Sequence, residues 1–414
     1  MIYFDNSATT VRKPGAVYEA AAEGLRRFGN PGRSFHDASM DALRAVQGAR
    51  EAVARLLGCA DAQAVAFTSS ATEALNLVVY GLLGPGDHAI TTVAEHNSVL
   101  RPLYNAGCAL SFAGCDEKGR LDFSGLERML RAETKCLVCT HGSNVTGNVT
   151  DTRHLRAFCG AHGLALVLDA AQTLGYVEAA ADDADFLCFT GHKGLLGPPG
   201  TGGVVARDLR GARGGLRIVK TGGAGAHSAE RLQPLAMPDA FEAGTLNAPA
   251  LHGLAAGVSY VLERGVCGAG GAVVGANAGG AGGTGAGAGG GAGGSAGTGG
   301  GADAGTGAAA GALAERFVRG VRGIPGVTLY GDLDAACRLP VVSLNIGDLG
   351  SDEAAGALWH THGIATRPGL HCAPLLHERL GTARRGMVRF SFSCFNTEEE
   401  ADAGIAAVKE VAKG

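Results

Sequence analysis

Asp185-Phe186-Leu187-Cys188-Phe189-Thr190-Gly191-His192-Lys193-Gly194 is the stretch on which the reading of this 414-residue chain turns. Its apolar run predicts a buried strand. Thr190, Gly191 and His192 follow, then a lysine, then Gly194 and Gly197-Pro198-Pro199-Gly200. A lysine just past a strand end, in a glycine-rich turn, suits an amine that forms a Schiff base. Most lysines are merely solvated, so the assignment rests on what accompanies Lys193.

Working outward, apolar runs alternate with helical patterns. Strands are predicted at 65–68, 88–93, 137–140, 164–168, 185–189 and 203–206, and helices at 72–83, 98–105 and 152–162. Such alternation argues an α/β domain with a mostly parallel sheet flanked by helices. Ligands in these sheets sit beyond the carboxyl ends of the strands. Before this region, a short strand runs into the polar turn 5–10, and a helix follows at 15–28. Leu43, Val46, Ala49, Val53, Leu56 and Leu57 recur at helical spacing and Gly58 stops that helix. The chain after Gly326 predicts a smaller α+β domain. It has a strand at 341–346, a helix at 352–362, a loop at 367–374, a strand at 387–393 and a closing helix at 397–413. The expected division is a large domain at 16–255 and a small domain built from 1–15 and 256–414.

The small domain is interrupted at about 268–311 by a run of almost pure Gly and Ala. It lacks aromatics, Leu, Ile, Lys and Arg, so it buries too little apolar surface to offset its ordering entropy. It is expected to be a disordered surface insertion, with folding resuming at Leu313 on the face of Phe317, Val318 and Val321. A coil of that length spans roughly 35–40 Å. Loop closure grows only logarithmically with length, so the fold tolerates it.

The chain is 46% hydrophobic, enough for a large core. A net charge of -4 gives no reason to expect a nucleic-acid or membrane-surface partner. No apolar stretch is long enough to span a bilayer, and Met1-Ile2-Tyr3-Phe4-Asp5-Asn6 does not read as a leader. A cytoplasmic protein is expected, with its 11 scattered cysteines unpaired. Cys136 and Cys139 form a C-x-x-C within a predicted strand, where residues three apart point to opposite faces. They read as buried thiols, and no metal site is expected.

Four strand ends carry candidate chemistry. Thr68-Ser69-Ser70-Ala71-Thr72 is a small-residue turn into a helix, so Ala71 and Thr72 present free N–H groups suited to a phosphate. Ordinary helix capping by Ser or Thr explains the same residues taken alone. Asp169, in Leu168-Asp169-Ala170-Ala171-Gln172, either caps a helix or meets a pyridinium nitrogen, as pyridoxal phosphate requires. Gln172 is then within reach of the ring's phenolic oxygen. His96 suits stacking on a flat ring or proton transfer. Asn144 suits contact with a ring oxygen or with substrate. A stacking His, an Asn, an Asp with Gln, and a Thr-x-His-Lys are together the parts of a lysine-bound pyridoxal phosphate.

With these stretches in hand, the sequence resembles the class V aminotransferase-like family of fold-type I pyridoxal phosphate enzymes, and within it the cysteine desulfurases. The matching stretches are Tyr3-Phe4-Asp5-Asn6-Ser7-Ala8-Thr9-Thr10, Thr72-Glu73-Ala74-Leu75-Asn76, Ala94-Glu95-His96-Asn97-Ser98, Ser143-Asn144-Val145-Thr146-Gly147, Asp169-Ala170-Ala171-Gln172, Gly191-His192-Lys193, Phe241-Glu242-Ala243-Gly244-Thr245 and Arg367-Pro368-Gly369-Leu370-His371-Cys372-Ala373. They cover the chain except the insertion. The resemblance implies that Lys193 is the Schiff-base lysine, Asp169 the pyridinium partner, Gln172 the partner of the phenolic oxygen and His96 the stacking ring. It implies that Thr72, Thr190 and His192 bind phosphate and that Thr245 reaches the phosphate of a second subunit, hence a homodimer. Arg367 and Arg389 would grip the substrate carboxylate, with Asn6 and Ser7 lining the same pocket.

Cys372 would take sulfur from L-cysteine as a persulfide and pass it to an acceptor protein, leaving L-alanine. A free thiol is only about 3% thiolate at pH 7, and the neighbouring His371 and arginines are expected to raise that fraction. A selenocysteine lyase or another β-eliminating lyase is the alternative within the family. A non-catalytic pyridoxal-phosphate-binding sulfur carrier or partner module is the alternative outside it. Ser70 and Ala224 depart from the family pattern, Ser70 where relatives often have Gly and Ala224 where they often have a phosphate-holding Thr. Loss of that hydroxyl costs about 1 kcal/mol.

Overall fold

The computed structural model describes residues 1–32, 34–206, 208–209, 215–223, 228–267, 273–274 and 305–413. Seven strands form the central sheet. They are β1 (Val65–Thr68), β2 (His88–Thr92), β3 (Ala109–Ala113), β4 (Thr134–Thr140), β5 (Ala165–Asp169), β6 (Phe186–Thr190) and β7 (Gly202–Ala206). Their order is β1-β7-β6-β5-β4-β2-β3. Strands β2 to β6 pair in parallel, whereas β7 runs antiparallel to both β1 and β6.

The flanking helices are α1 (Gly15–Arg27), α2 (Asp37–Leu56), α3 (Ala71–Leu82), α4 (Asn97–Asn105), α5 (Thr152–His162) and α6 (Ala248–Arg264). Leu137, Cys139, Leu166, Leu168, Leu187 and Phe189 share one core with α2, α5 and α6. Cys136, Val138, Ala165, Val167, Phe186 and Cys188 share the other with α3 and α4. Both sheet faces are covered, which is why these strands read as continuous apolar runs. Cys136 and Cys139 do face opposite cores as free thiols, and burial pushes both thiols up. In α2 the buried stripe is Ala42, Ala45, Val46, Ala49, Ala52 and Val53, and Leu43 lies beside it, 40% exposed.

Among the described residues, two strands of four residues or more escaped the sequence reading. β3 is a half-exposed edge strand, and its Ala109-Leu110-Ser111-Phe112-Ala113 carries little alternation. The other is β8 (Val327–Tyr330), which pairs antiparallel with β9 (Val341–Ile346), and β9 in turn with β10 (Val388–Ser391). Helices α7 (Thr306–Val321), α8 (Ser351–His362) and α10 (Glu398–Val411) complete a separate apolar cluster around this sheet, and α9 (Pro374–Arg379) lies between them in sequence. Phe4 belongs to that cluster. Its ring packs 4.8 Å from Phe392, and Ile2–Tyr3 pairs in parallel with Ile364–Ala365.

Two expectations change. The division at residue 255 falls inside α6, a continuous helix packed on α1 and α2. The insertion ends earlier than Gly311, because α7 begins at Thr306. Thr306 Oγ donates to the Gly175 carbonyl at 3.0 Å, and Ala310 is buried against Tyr176, Leu339 and Val341. Alanine is the strongest helix former, so a Gly/Ala composition gives way to helix once tertiary contacts hold it. Val273–Val274 pairs antiparallel with Val266–Cys267, and the rest of the expected insertion lies outside the described residues.

A buried ion pair ties the chain around the sheet edge. Arg50 on α2 donates to Glu242 and to the Val65 carbonyl, its guanidinium 5.0 Å from the Phe67 ring, and the Phe67 N–H donates to Glu242 at 2.6 Å. Removing one partner strands the other charge in the core. Glu242→Ala is expected to lower unfolding stability by about 3–5 kcal/mol, read from the urea midpoint. Arg50→Met with Glu242→Leu should cost less than the single change.

Candidate active site

The sheet register sets the geometry. Thr140 pairs with Asp169, Asp169 with Cys188, and Thr190 and Thr68 both with Gly202. The carboxyl ends of four strands therefore converge on one edge. A Cβ on Gly202 would lie 2.7 Å from the Ser70 backbone. The bare glycine is what lets the turn after β1 close beside the end of β6. The resulting cavity is lined by Ala71, Thr72, His96, Asn144, Asp169, Gln172, Thr190, His192 and Lys193, nine residues expected from the sequence. Ser70, Ser98, Thr140, Gly142 and Ala171 line it too.

Lys193 is presented by a turn with no slack. A Cβ on Gly191 would meet Thr201 Oγ at 2.1 Å, and one on Gly194 would meet the Leu174 carbonyl at 2.2 Å. Thr10 secures the same turn, its N–H and hydroxyl both donating to the His192 carbonyl at 3.0 and 3.1 Å. Burial lowers the Lys193 amine to about 8, with Arg389 and Arg367 acting in the same direction and Asp169 and Asp5 opposing. The amine makes no hydrogen bond among the described residues. Asp169 accepts the Ala171 N–H at 3.0 Å through one oxygen, and burial raises its carboxyl.

His96 caps α4. Its Nδ1 accepts the Ser98 N–H at 3.0 Å, and a backbone N–H can only donate, so the ring proton sits on Nε2. Burial lowers this imidazole to about 4, so it is neutral. Ser98 Oγ also lies 2.9 Å from His96 Nδ1 and 2.8 Å from Thr72 Oγ, linking ring and turn. Ser98 was missed because a serine near a helix start reads as a cap. Its position in the His96-x-Ser98 pair is the signal that would have found it.

Ser70 is the N-cap of α3, accepting the Glu73 N–H at 3.2 Å. Its backbone is extended, a conformation open to any residue, so the serine does not tighten the turn. Ala71 and Thr72 are the first residues of α3, where N–H groups have no carbonyl within the helix to bond, and both line the cavity. Nδ1 of His192 is buried without a partner in the same place. Helix N-terminal N–H groups, an unpaired ring nitrogen, a buried amine and an accepting strand-end carboxylate are the groups that pyridoxal phosphate needs.

The remaining expected residues divide. Gln172 Nε2 donates to the Ser7 carbonyl at 3.2 Å. Asn6 and Ser7 do not line the cavity: Asn6 Nδ2 donates to the Ser391 carbonyl and to Asn396 Oδ1, and Ser7 N–H donates to Ser391 Oγ. Arg389 is 2% exposed and already engaged, with Asp5 at 2.9 Å and the Asn144 carbonyl at 3.1 Å. The Arg367 guanidinium has no hydrogen bond or ion pair among the described residues. Thr245 lies in a different cavity, with Asn30, Gly32, Arg50 and Glu242. Ala224 lies outside the described residues.

Cys372 is half-buried, and its carbonyl accepts the Asn97 N–H at 2.7 Å, one residue beyond His96. Asn144 Nδ2 donates to the His371 carbonyl at 2.7 Å, so the cysteine turn is fastened to the cavity wall. His371 does not charge the thiol's surroundings as expected. It is buried, lowered to about 3 by that burial, and paired with His377.

An α/β fold that gathers a buried lysine, a strand-end acid and a helix-capping imidazole around one cavity fits a pyridoxal-phosphate enzyme. The chain belongs to the aminotransferase class-V family, whose sequence pattern matches residues 2–267 and 305–403 and leaves out the Gly/Ala-rich segment. It is 29% identical to a probable cysteine desulfurase of Pyrococcus abyssi, over 100% of this chain and 94% of that one. It is likewise 29% identical to a cysteine desulfurase of Pectobacterium atrosepticum, over 99% and 93%. Some relatives are longer, and the chain spans 62% of probable cysteine desulfurase 1 of Mycobacterium leprae. Among solved structures, the apo cysteine desulfurase of Thermococcus onnurineus NA1 superposes with a TM-score of 0.80 at 30% identity, covering 100% of this chain and 95% of that one.

The lowered Lys193 amine gives a testable pH dependence. Attachment of added pyridoxal phosphate to cofactor-free protein needs the neutral amine, so its rate should climb with pH and level off above about 8. A lysine of ordinary pKa, about 10.4, would keep accelerating past pH 10. Stopped-flow absorbance separates the two.

Proposed function

We propose that this protein is a pyridoxal-phosphate-dependent cysteine desulfurase that takes sulfur from L-cysteine onto Cys372 and releases L-alanine. The observation that carries the reading is the bond from Asn97 N–H to the Cys372 carbonyl, which hangs the thiol's turn on the helix end that His96 caps.

The roles follow from the chain's own groups. Bound pyridoxal phosphate supplies an electron-withdrawing ring that acidifies the α-proton of an amino acid. Asp169 would hold the ring nitrogen's charge, and Gln172 and Asn144 would bond the ring's polar groups. Ala71, Thr72, Thr190 and His192 take the phosphate. Lys193 Nζ, near its titration point at neutral pH, takes the substrate's α-proton. His96, which holds a proton at Nε2, would cover the ring face. Arg367, whose guanidinium has no hydrogen bond or ion pair among the described residues, takes the substrate carboxylate, and Arg389 sets the wall behind it. Sγ of Cys372 bonds to the substrate sulfur as the carbon–sulfur bond breaks. The electron pair stays on carbon, which gains a proton to give alanine, and the persulfide passes to an acceptor protein.

We further infer a homodimer, because Thr245 sits apart from the Lys193 cavity and would serve a neighbouring subunit's phosphate. In this reading the described residues of 1–15 and those after α6 form the small domain, and the described residues of 16–264 the large one. No helix among the described residues is long and apolar enough to cross a membrane, and a cytoplasmic location is proposed.

Wild type given L-cysteine and a reductant should release equal alanine and sulfide, and Cys372→Ala should lose turnover by more than about 100-fold. Full activity in Cys372→Ala would sink the proposal. Arg367→Ala is expected to raise the KM for L-cysteine by roughly ten- to a hundredfold, the worth of a charge-assisted bond of about 1.5–3 kcal/mol.

A further inference from the structure

We propose that His377 is a positioning residue for Cys372, acting through the ring of His371; this rests on the reading of Cys372 as the sulfur-accepting thiol.

The cysteine turn is held in an unusual backbone shape. His371 and Cys372 have φ of +50° and +58°, successive left-handed residues that both carry side chains. Such residues persist only where their surroundings fix them. From the cavity side, Asn144 and Asn97 hold the carbonyls of His371 and Cys372. From behind, the His371 ring is held at both nitrogens. Its Nε2 lies 3.0 Å from the Arg367 carbonyl, and a carbonyl can only accept, so Nε2 carries the hydrogen. Burial keeps this imidazole neutral, which leaves Nδ1 bare and in need of a donor. His377 Nε2 lies 3.3 Å from it, and His377 Nδ1 lies 2.9 Å from the Thr382 hydroxyl. One carbonyl thus fixes the tautomer of each ring in turn.

His371, His377 and Thr382 are 4%, 0% and 2% exposed, and the two rings meet edge to edge, their planes 29° apart and their centroids 5.5 Å apart. These groups are buried from bulk solvent, so loss of the His377 donor leaves His371 Nδ1 without its partner in the interior. The same His371 ring links the Arg367 carbonyl to the cysteine turn, so His377 holds two proposed active-site residues in one frame while touching neither reacting atom.

The test uses full-length protein carrying its cofactor, with His377→Leu and His377→Gln compared. Gln keeps a donor near the position of Nε2, and Leu keeps bulk alone. His377→Leu should lower kcat at least about tenfold with KM within about twofold, and His377→Gln should recover to within about threefold of wild type. In His377→Leu the Asn97 and Ala373 amides should also exchange hydrogen at least about tenfold faster. Wild-type kcat in His377→Leu, or equal damage in Leu and Gln, would overturn the proposal. If Cys372→Ala stays active, the thiol reading fails separately. Faster exchange at Asn97 would then still uphold the role of His377 in placing the turn, and unchanged exchange would overturn it.

Discussion

The amine of Lys193 is withdrawn from water at the carboxyl edge of a parallel sheet, and the rest of the site answers to that burial. An ammonium there loses solvation, so its proton is held less tightly. Asp169 lies close enough to oppose the effect without cancelling it, and its own carboxyl is raised by the same dry surroundings. Arg389 and Arg367 act with the burial. An amine poised between charged and neutral is what a lysine needs to serve as nucleophile and then as base.

Holding that amine requires close approach of backbone, and glycines supply it. Gly191 and Gly194 flank the turn where Thr201 and the Leu174 carbonyl leave no room for a methyl group. Gly202 performs the same service between Thr68 and Thr190. The first residues of the chain complete the frame. Phe4 is anchored in the small apolar cluster, Asp5 neutralises Arg389, and Thr10 fastens the lysine turn. One short segment therefore couples the small sheet to the Lys193 turn.

Cys372 enters from the other side, on a turn carried by the C-terminal part of the chain. Two neutral imidazoles, rather than charged ones, back that turn. The arginines differ in the same spirit. Arg389 is a structural cation, matched by Asp5 and the Asn144 carbonyl, and the Arg367 guanidinium has no partner among the described residues. Adjacent sequence positions suggest a charged neighbour for the thiol, but burial reverses the sign of that expectation for His371.

Sequence by itself determined the alternation that makes the sheet, the strand ends that carry Lys193, Asp169, His96 and Asn144, and the Gly/Ala run that stands outside the family pattern. These were legible because apolar periodicity and turn chemistry are local properties. Tertiary structure alone decided which cation is free, that His371 is neutral, that Asn6 faces Ser391 and Asn396, that Ser98 joins the cavity, and that α7 begins at Thr306 within a run whose composition reads as coil. Each of those depends on burial and on a partner distant in sequence, which no local window contains. Asp5 meets Arg389 across almost the whole chain, and only folding makes that separation a contact.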